Sequence, residues 1–393
     1  MCSSLYAAFS LKRGEGNGLS PEEAEAVERW RDTIMGVAIE EMGHLVLVAN
    51  LCVAVGARPH FDRPNFPIEA GYFPSGVVLR LTPFNQETLE HLIFIERPQG
   101  VERQDGDRFE QEPEYQRGEA AIGVMPNLQD YETVGHLYEA LRSNLTAFAE
   151  REGQEALFIG VSEGQLGSDV LDLEGIALIT DLTSAGQAID RIIAQGEGSI
   201  ADREDSHYHR FTLIREEFEE LRGLNPGLEP AWPAASSPVF RRPAEPDEKV
   251  FVDDPPAAAV LDLANGIYGL LLRLLVQAYG RRGPSREEEQ RHLIGTAIGL
   301  MHALTATATT LVSMPATEAH PGVNAGMSFT MLRGVEPFPF GTAESKLIEE
   351  RLQELHAAAE QLAKRGWLPS KIARTLGGSI LAKAPGTSTA PSV

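Results

Sequence analysis

The chain has 393 residues, of which 42% are hydrophobic and 23% are charged, and its formal net charge is −23. This length gives enough apolar material for the core of one large domain or two ordinary ones. The strong negative charge repels nucleic acids and anionic membrane surfaces, so we expect neither as a partner.

The sequence also indicates the compartment. Its two cysteines, Cys2 and Cys52, do not form the pattern of a disulfide framework, and its first residues lack the basic and apolar regions of a secretory signal. The apolar run at 267–279 is interrupted by Arg273, and we expect it to be too short to cross a bilayer. These features predict a cytoplasmic protein.

Apolar residues at helical spacing predict a mainly α protein. The first long helix has a capping box, since Ser20 can cap it, Pro21 suits its first turn and Glu23 completes the box, and Gly56 ends it. A short strand is expected at 76–81. The predicted helices occupy residues 20–55, 85–96, 131–151, 184–195, 201–222, 257–279, 285–313 and 342–365. Irregular segments are expected at 58–84, 99–130 and 154–180.

A glutamate and a histidine interrupt the apolar stripe of the first long helix. Glu41 and His44 occupy positions between Val37 and Val48 where the three- and four-residue spacing requires apolar side chains. Glu40 is about 100° away around the helix and is expected to face solvent. A carboxylate in a protein core costs several kcal/mol unless it is paired or binds a metal.

The same Glu-x-x-His pattern recurs on a second predicted helix. Glu204 and His207 continue the apolar stripe that runs through Phe211 and Phe218. Two inward Glu-x-x-His pairs on two helices match the di-iron and di-manganese carboxylate bundles. Carboxylate and imidazole ligands suit iron or manganese and leave positions open for dioxygen. The alternative is a histidine that simply donates to its neighbouring glutamate in each pair.

Two further carboxylates lie near predicted helix ends. Glu96 is on the inner stripe of 85–96, and we interpret it as a buried partner of an arginine such as Arg97. Glu197 follows the helix that ends at Gly196. It can serve as a ligand, but a polar contact at the helix end is favoured.

Several segments in combination resemble the ferritin-like family of the iminophenyl-pyruvate dimer synthase type, known from violacein biosynthesis. The resemblance covers most of residues 1–222, and weaker similarity continues to about 355. The segments that carry it are "EEMGHLVLVANLCVAVGARPHFDRPNFP", "YFPSGVVLRLTPF", "LEHLIFIERP", "AQGEG" and "DSHYHRF".

The resemblance implies a four-helix bundle in which lone glutamates on the first and third helices join Glu-x-x-His pairs on the second and fourth. Glu41 and His44 match the second-helix pair, and Glu204 and His207 match the fourth. Residues 1–14 contain no acidic residue, so a first-helix glutamate either would precede Met1 or is absent. His136 stands where the third-helix glutamate is expected, which makes it the fifth candidate ligand.

The resemblance therefore implies a ferritin-like four-helix bundle with long loops and an additional C-terminal helical region. We divide the chain into a metal-binding bundle (1–225), a Pro-rich connection (226–256), a C-terminal helical region (257–383) and a disordered tail (384–393).

The implied function is that of a non-haem iron oxidase or oxygenase in secondary metabolism, with a di-iron or mononuclear centre. Manganese is compatible with the same ligands. Its expected partners are a small amino-acid-derived molecule and dioxygen or peroxide, and a homo-oligomer is compatible with this function. The alternatives are a degenerate ferritin-like binding or accessory module without catalysis, and metal storage.

Overall fold

The computed structural model describes residues 1–14, 17–69, 76–109, 131–197, 204–244, 249–331, 338 and 340–381. The regular structure of this part of the chain is almost entirely helical. Its α-helices are α1 (Cys2–Ser10), α2 (Pro21–Ala54), α3 (Gln86–Ile95), α4 (Val134–Glu152), α5 (Gln154–Leu157), α6 (Leu182–Ile192), α7 (His207–Leu224), α8 (Pro255–Ala278), α9 (Arg286–Leu311), α10 (Thr342–Lys364) and α11 (Ser370–Leu381). A 3₁₀ turn spans Ser162–Gly164, and a π-helical turn spans Ile193–Glu197. Two short parallel strands, β1 (Pro238–Val239) and β2 (Val250–Phe251), pair in the Pro-rich connection.

Helix α2 begins as its sequence predicts. The side chain of Ser20 accepts a hydrogen bond from the backbone N–H of Glu23, and the Glu23 carboxylate accepts one from the N–H of Ser20. This capping box satisfies donors that the first turn leaves unpaired. Gly56, with φ of 81°, follows the helix end in a left-handed conformation. The predicted long helix is confirmed.

Three other predictions differ from the structure. Helix α7 begins at His207 because Ser206 caps it by accepting from the N–H of His209, and residues 201–203 lie outside the described residues. The strand expected at 76–81 is wrong, since the only pairing described there is one isolated bridge between Ile68 and Leu79. Helix α11 was not predicted. The predicted tail at 384–393 and residues 110–130 lie outside the described residues.

Helix α2 contributes to three hydrophobic clusters. Its N-terminal half packs through Trp30 against Phe84 and Phe218, with ring centroids 5.5 and 5.6 Å apart. Its C-terminal half packs on one face through Val46 and related residues against α8, α9, α10 and α11. Another face packs through Leu47 and Leu51 against α6. The middle of α2 therefore lies between these clusters.

Within the described residues, three helices are long and apolar enough to cross a membrane by length and composition alone. They are α2, α8 and α9, whose most apolar windows have mean hydropathies of 1.6, 1.6 and 1.2. The expectation that the apolar run in α8 is too short was therefore wrong, because the helix has 24 residues. In the structure 61%, 67% and 50% of these windows are buried inside the protein. Much of their apolar surface thus belongs to the clusters described above.

Candidate metal centre

Two carboxylates and one imidazole converge at the middle of α2. Glu41 comes from α2, Glu96 follows the last residue of α3, and His207 is the first residue of α7. One potential ligand atom from each lies within 4.8 Å of the others. The Nδ1 atom of His207 is 3.2 Å from Glu96 Oε2 and 3.3 Å from Glu41 Oε1. The His207 side chain has no exposed surface.

His44 also contacts Glu41. Its Nδ1 is 3.1 Å from Glu41 Oε1, and its ring stacks against that of His207 with centroids 5.7 Å apart. Its Nε2 is 3.0 Å from Oε1 of Gln195, which lies in the π-helical turn. Both histidines therefore turn Nδ1 toward the same carboxylate.

Close contacts shift the pKa values of this group. Burial alone would lower the pKa of His207, but its hydrogen bonds with Glu40, Glu41 and Glu96 raise it to about 11. Burial would raise the pKa of Glu41, but hydrogen bonds from His207 and His44 hold it well below its usual range. Without a metal, a proton on His207 balances part of the negative charge of these carboxylates.

The structure brings together three of the five predicted ligands, Glu41, His44 and His207. Glu204 does not join them. It is exposed in the turn before α7, so the inward orientation expected for it is wrong. The physical reason is the cap at Ser206, which starts the helix after Glu204 and removes the three-residue helical spacing between Glu204 and His207.

His136 is half-buried in the first turn of α4 and is not part of the Glu41, Glu96 and His207 group. Its ring meets that of Tyr131 edge-on at 5.3 Å. Its buried Nδ1 has no hydrogen-bond partner among the described residues. A donor atom is therefore available, and the ligand role of His136 stays a prediction. The side chain of Glu197 lies outside the described part of the structure.

Sequence reasoning missed the roles of Glu96 and Glu40. Glu96 was interpreted as an arginine partner, but Arg97 donates to the backbone carbonyls of Phe94 and Glu132. The inner-stripe position of Glu96 correctly indicated that it is buried. Glu40 was expected to face solvent, yet it contacts His207 and Arg210.

A glycine allows the backbone to approach the donor atoms closely. A Cβ atom at Gly196 would lie 2.8 Å from His207 Nδ1 and 3.3 Å from Glu96 Oε2. Gly196 belongs to the π-helical turn, a feature often found at functional sites. Carboxylate and imidazole donors that a side chain at position 196 would obstruct are suited to an iron or manganese ion.

A ferritin-like family model matches residues 1–216. The chain belongs to the ferritin-like family. This assignment confirms the predicted fold class, and the helical structure agrees with it.

Two curated proteins are similar in sequence to this ferritin-like chain. Dichlorochromopyrrolate synthase of Lentzea aerocolonigenes is 27% identical, over 96% of this chain and 38% of its own length. The 2-imino-3-(indol-3-yl)propanoate dimerase of Chromobacterium violaceum is 24% identical, over 94% of this chain and 36% of its own length. The chain therefore spans less than two fifths of the length of either relative.

Among solved structures, the crystal structure of a ferritin-like protein from Caulobacter vibrioides is similar to this chain. The two share 17% sequence identity and superpose with a TM-score of 0.46. The match covers 78% of this chain and 87% of that chain.

Proposed function

We propose that this ferritin-like protein is a non-haem iron oxidoreductase of secondary metabolism that acts on a small imine derived from an amino acid. The convergence of Glu41, Glu96 and His207 carries the proposal. The names of its two curated relatives, a synthase and a dimerase, support an enzymatic role rather than a binding or storage role.

Glu41, Glu96, His44 and His207 would hold one iron ion or part of a di-iron centre, and manganese suits the same donors. Bound iron would supply the electron transfer that activates dioxygen or peroxide. The chain's own contribution is to orient these side chains from three helices and to exclude bulk water. The complete burial of the His207 side chain serves the second purpose.

The substrate class follows from the name of the Chromobacterium relative, a dimerase of 2-imino-3-(indol-3-yl)propanoate. We extend it to this chain as 2-imino-3-arylpropanoates. Joining two such molecules by a new C–C bond, with loss of one hydrogen from each, releases two electrons and two protons. Peroxide would accept them and become two water molecules, or dioxygen would accept them and become peroxide.

A cytoplasmic location is part of the proposal.

Iron stoichiometry and substrate turnover test this function. The metal-free protein would be titrated with Fe(II) without oxygen and then given an enzymatically generated 2-imino-3-arylpropanoate with peroxide or dioxygen. We expect stoichiometric iron and formation of a coupled product. In Glu41→Ala, bound iron should fall by about tenfold or more, since even changes outside the ligand shell cost about that much.

Glu28→Ala is the matched control, because Glu28 is on the same helix and pairs with Arg31. It should bind iron as the wild type does. A wild-type protein that binds no iron would contradict the proposal and favour a binding module without catalysis. Unchanged iron content in Glu41→Ala would show that Glu41 is only a hydrogen-bond partner of His44 and His207.

A further inference from the structure

A second carboxylate of α2 contacts the outer side of His207. Glu40 Oε2 is 3.1 Å from Nε2 of His207, whereas Glu41 and Glu96 lie near Nδ1 on the opposite edge of the ring. Arg210 lies on α7, three residues after His207. It donates to both oxygens of Glu40, with Nη1 3.0 Å from Oε1. His207 therefore lies between Glu40 at one edge of its ring and Glu41 and Glu96 at the other.

These contacts favour one tautomer of a neutral, metal-bound His207. A neutral imidazole has one N–H donor and one nitrogen lone pair. With a metal at Nδ1, the proton of a neutral His207 would be on Nε2, and the carboxylate of Glu40, oriented by Arg210, would accept a hydrogen bond from it. The opposite tautomer would direct the Nε2 lone pair at the Glu40 carboxylate and place a proton where a metal would bind.

We propose that Glu40, fixed by Arg210, is a positioning residue that holds His207 as its Nε2–H tautomer and presents Nδ1 to the metal. This inference rests on the proposed function. Histidine ligands usually donate their second N–H to such an acceptor, which also makes the bound nitrogen more basic. His44 has the neutral amide of Gln195 in the same place. Nε2 of His207 therefore faces a charged carboxylate, whereas Nε2 of His44 faces a neutral amide.

The effect of Glu40 on the metal has to be separated from its effect on folding. Its side chain is 30% exposed and that of Arg210 is 22% exposed, and Glu40 also contacts the fully buried His207. Loss of the Glu40 carboxylate should therefore also lower the melting temperature of the metal-free protein. Glu40→Gln separates the two effects, because it removes the same charge as Glu40→Ala but keeps an oxygen that can accept from Nε2–H.

The experiment compares Glu40→Ala, Glu40→Gln and the control Glu28→Ala in the full chain. Co(II) affinity would be measured by competition with a chelator, beside a thermal melt of each metal-free protein. We expect Glu40→Ala to bind Co(II) about tenfold to a hundredfold more weakly. Glu40→Gln should restore part of this loss, because its amide oxygen can still accept from Nε2–H. The melting temperatures of the two metal-free Glu40 variants should be close to each other, because both lose the same negative charge beside His207.

The tautomer provides a second measurement. In Zn(II)-loaded wild type, ¹⁵N NMR of the imidazoles should show His207 protonated at Nε2 and metal-bound at Nδ1. A proton on Nδ1, or wild-type Co(II) affinity in Glu40→Ala, would overturn the inference while leaving the proposed function intact. Loss of metal in Glu40→Gln as complete as in Glu41→Ala would also overturn it, because Glu40 would then be a direct ligand. A wild-type chain that binds no metal would overturn both proposals.

Discussion

At the scale of single residues, the centre is arranged so that a metal ion and a proton compete for the same position. Nδ1 of His207 lies near both Glu41 and Glu96, and in the metal-free protein a proton there satisfies both carboxylates. Against the lowering effect of burial, the hydrogen bond with Glu40 and this arrangement together raise the pKa of His207 from 6.5 to about 11. The raised pKa stabilises the metal-free fold fully below pH 6.5, and this contribution is lost as the pH rises through about 11.

We therefore expect metal binding to release a proton from His207. At pH 7 to 8 the metal-free protein should release about one proton from this residue for each metal ion bound there, because the metal takes a neutral imidazole. Affinity should rise with pH over the same range. Calorimetric titration with Zn(II) in buffers of different ionisation enthalpy would measure the release. A binding enthalpy that is the same in every buffer would mean that His207 is already neutral.

At the scale of secondary-structure elements, the π-helical turn after α6 determines whether the centre has room for an ion. Gly196 brings bare backbone against His207 and Glu96, and a methyl group at this position would lie within 2.8 Å of Nδ1. A methyl group at Gly186, in α6 itself, would have no neighbouring atom of the described residues within 4 Å. The two glycines belong to the same stretch of helix but differ in what a side chain would meet.

Gly196→Ala should therefore lose metal binding by tenfold or more, because its methyl group would fill the space beside the donor atoms. Gly186→Ala should bind metal normally and gain up to about 1 kcal/mol of folding stability, since alanine favours helix more than glycine does. Chelator competition and thermal melts on both variants would measure these effects. Normal metal affinity in Gly196→Ala would show that the metal does not use this space.

The sequence could predict what depends on neighbouring residues along the chain. The capping box of α2 is formed by two residues of one turn, Ser20 and Glu23, and the interrupted apolar stripe was enough to single out Glu41 and His44. The role of Glu96 could not be predicted in this way, because its partner His207 is 111 residues further along the chain. The helical wheel placed Glu40 toward solvent because its partners, His207 and Arg210, are also far away along the chain. Glu204 was misplaced because the periodicity continues past the cap that starts α7.

At the scale of the whole molecule, the bundle and the C-terminal helices share one core. The largest hydrophobic cluster joins Val46, Ala49 and Val53 of α2 to buried residues of α8, α9, α10 and α11. The division of the chain into a bundle (1–225) and a C-terminal region (257–383) stays a prediction.

A fragment of residues 1–225 should be unable to fold into a well-packed monomer, because it exposes the apolar face of α2 that this shared cluster covers. We expect it to bind a hydrophobic dye and to aggregate in size-exclusion chromatography, whereas the full chain should do neither. A fragment that stays monomeric and unfolds cooperatively would show instead that the bundle is an independent domain.

The unbroken length of α2 also limits how this protein can change during evolution. One helix of 34 residues carries Trp30 in one cluster, Glu41 at the centre and Val53 in another cluster. An inserted or deleted residue between them would turn everything that follows by about 100° and move it along the axis by about 1.5 Å. Such a change would separate at least two of these contacts. Descendants of this chain should therefore vary in length in the connections between helices, while α2 changes only by substitution.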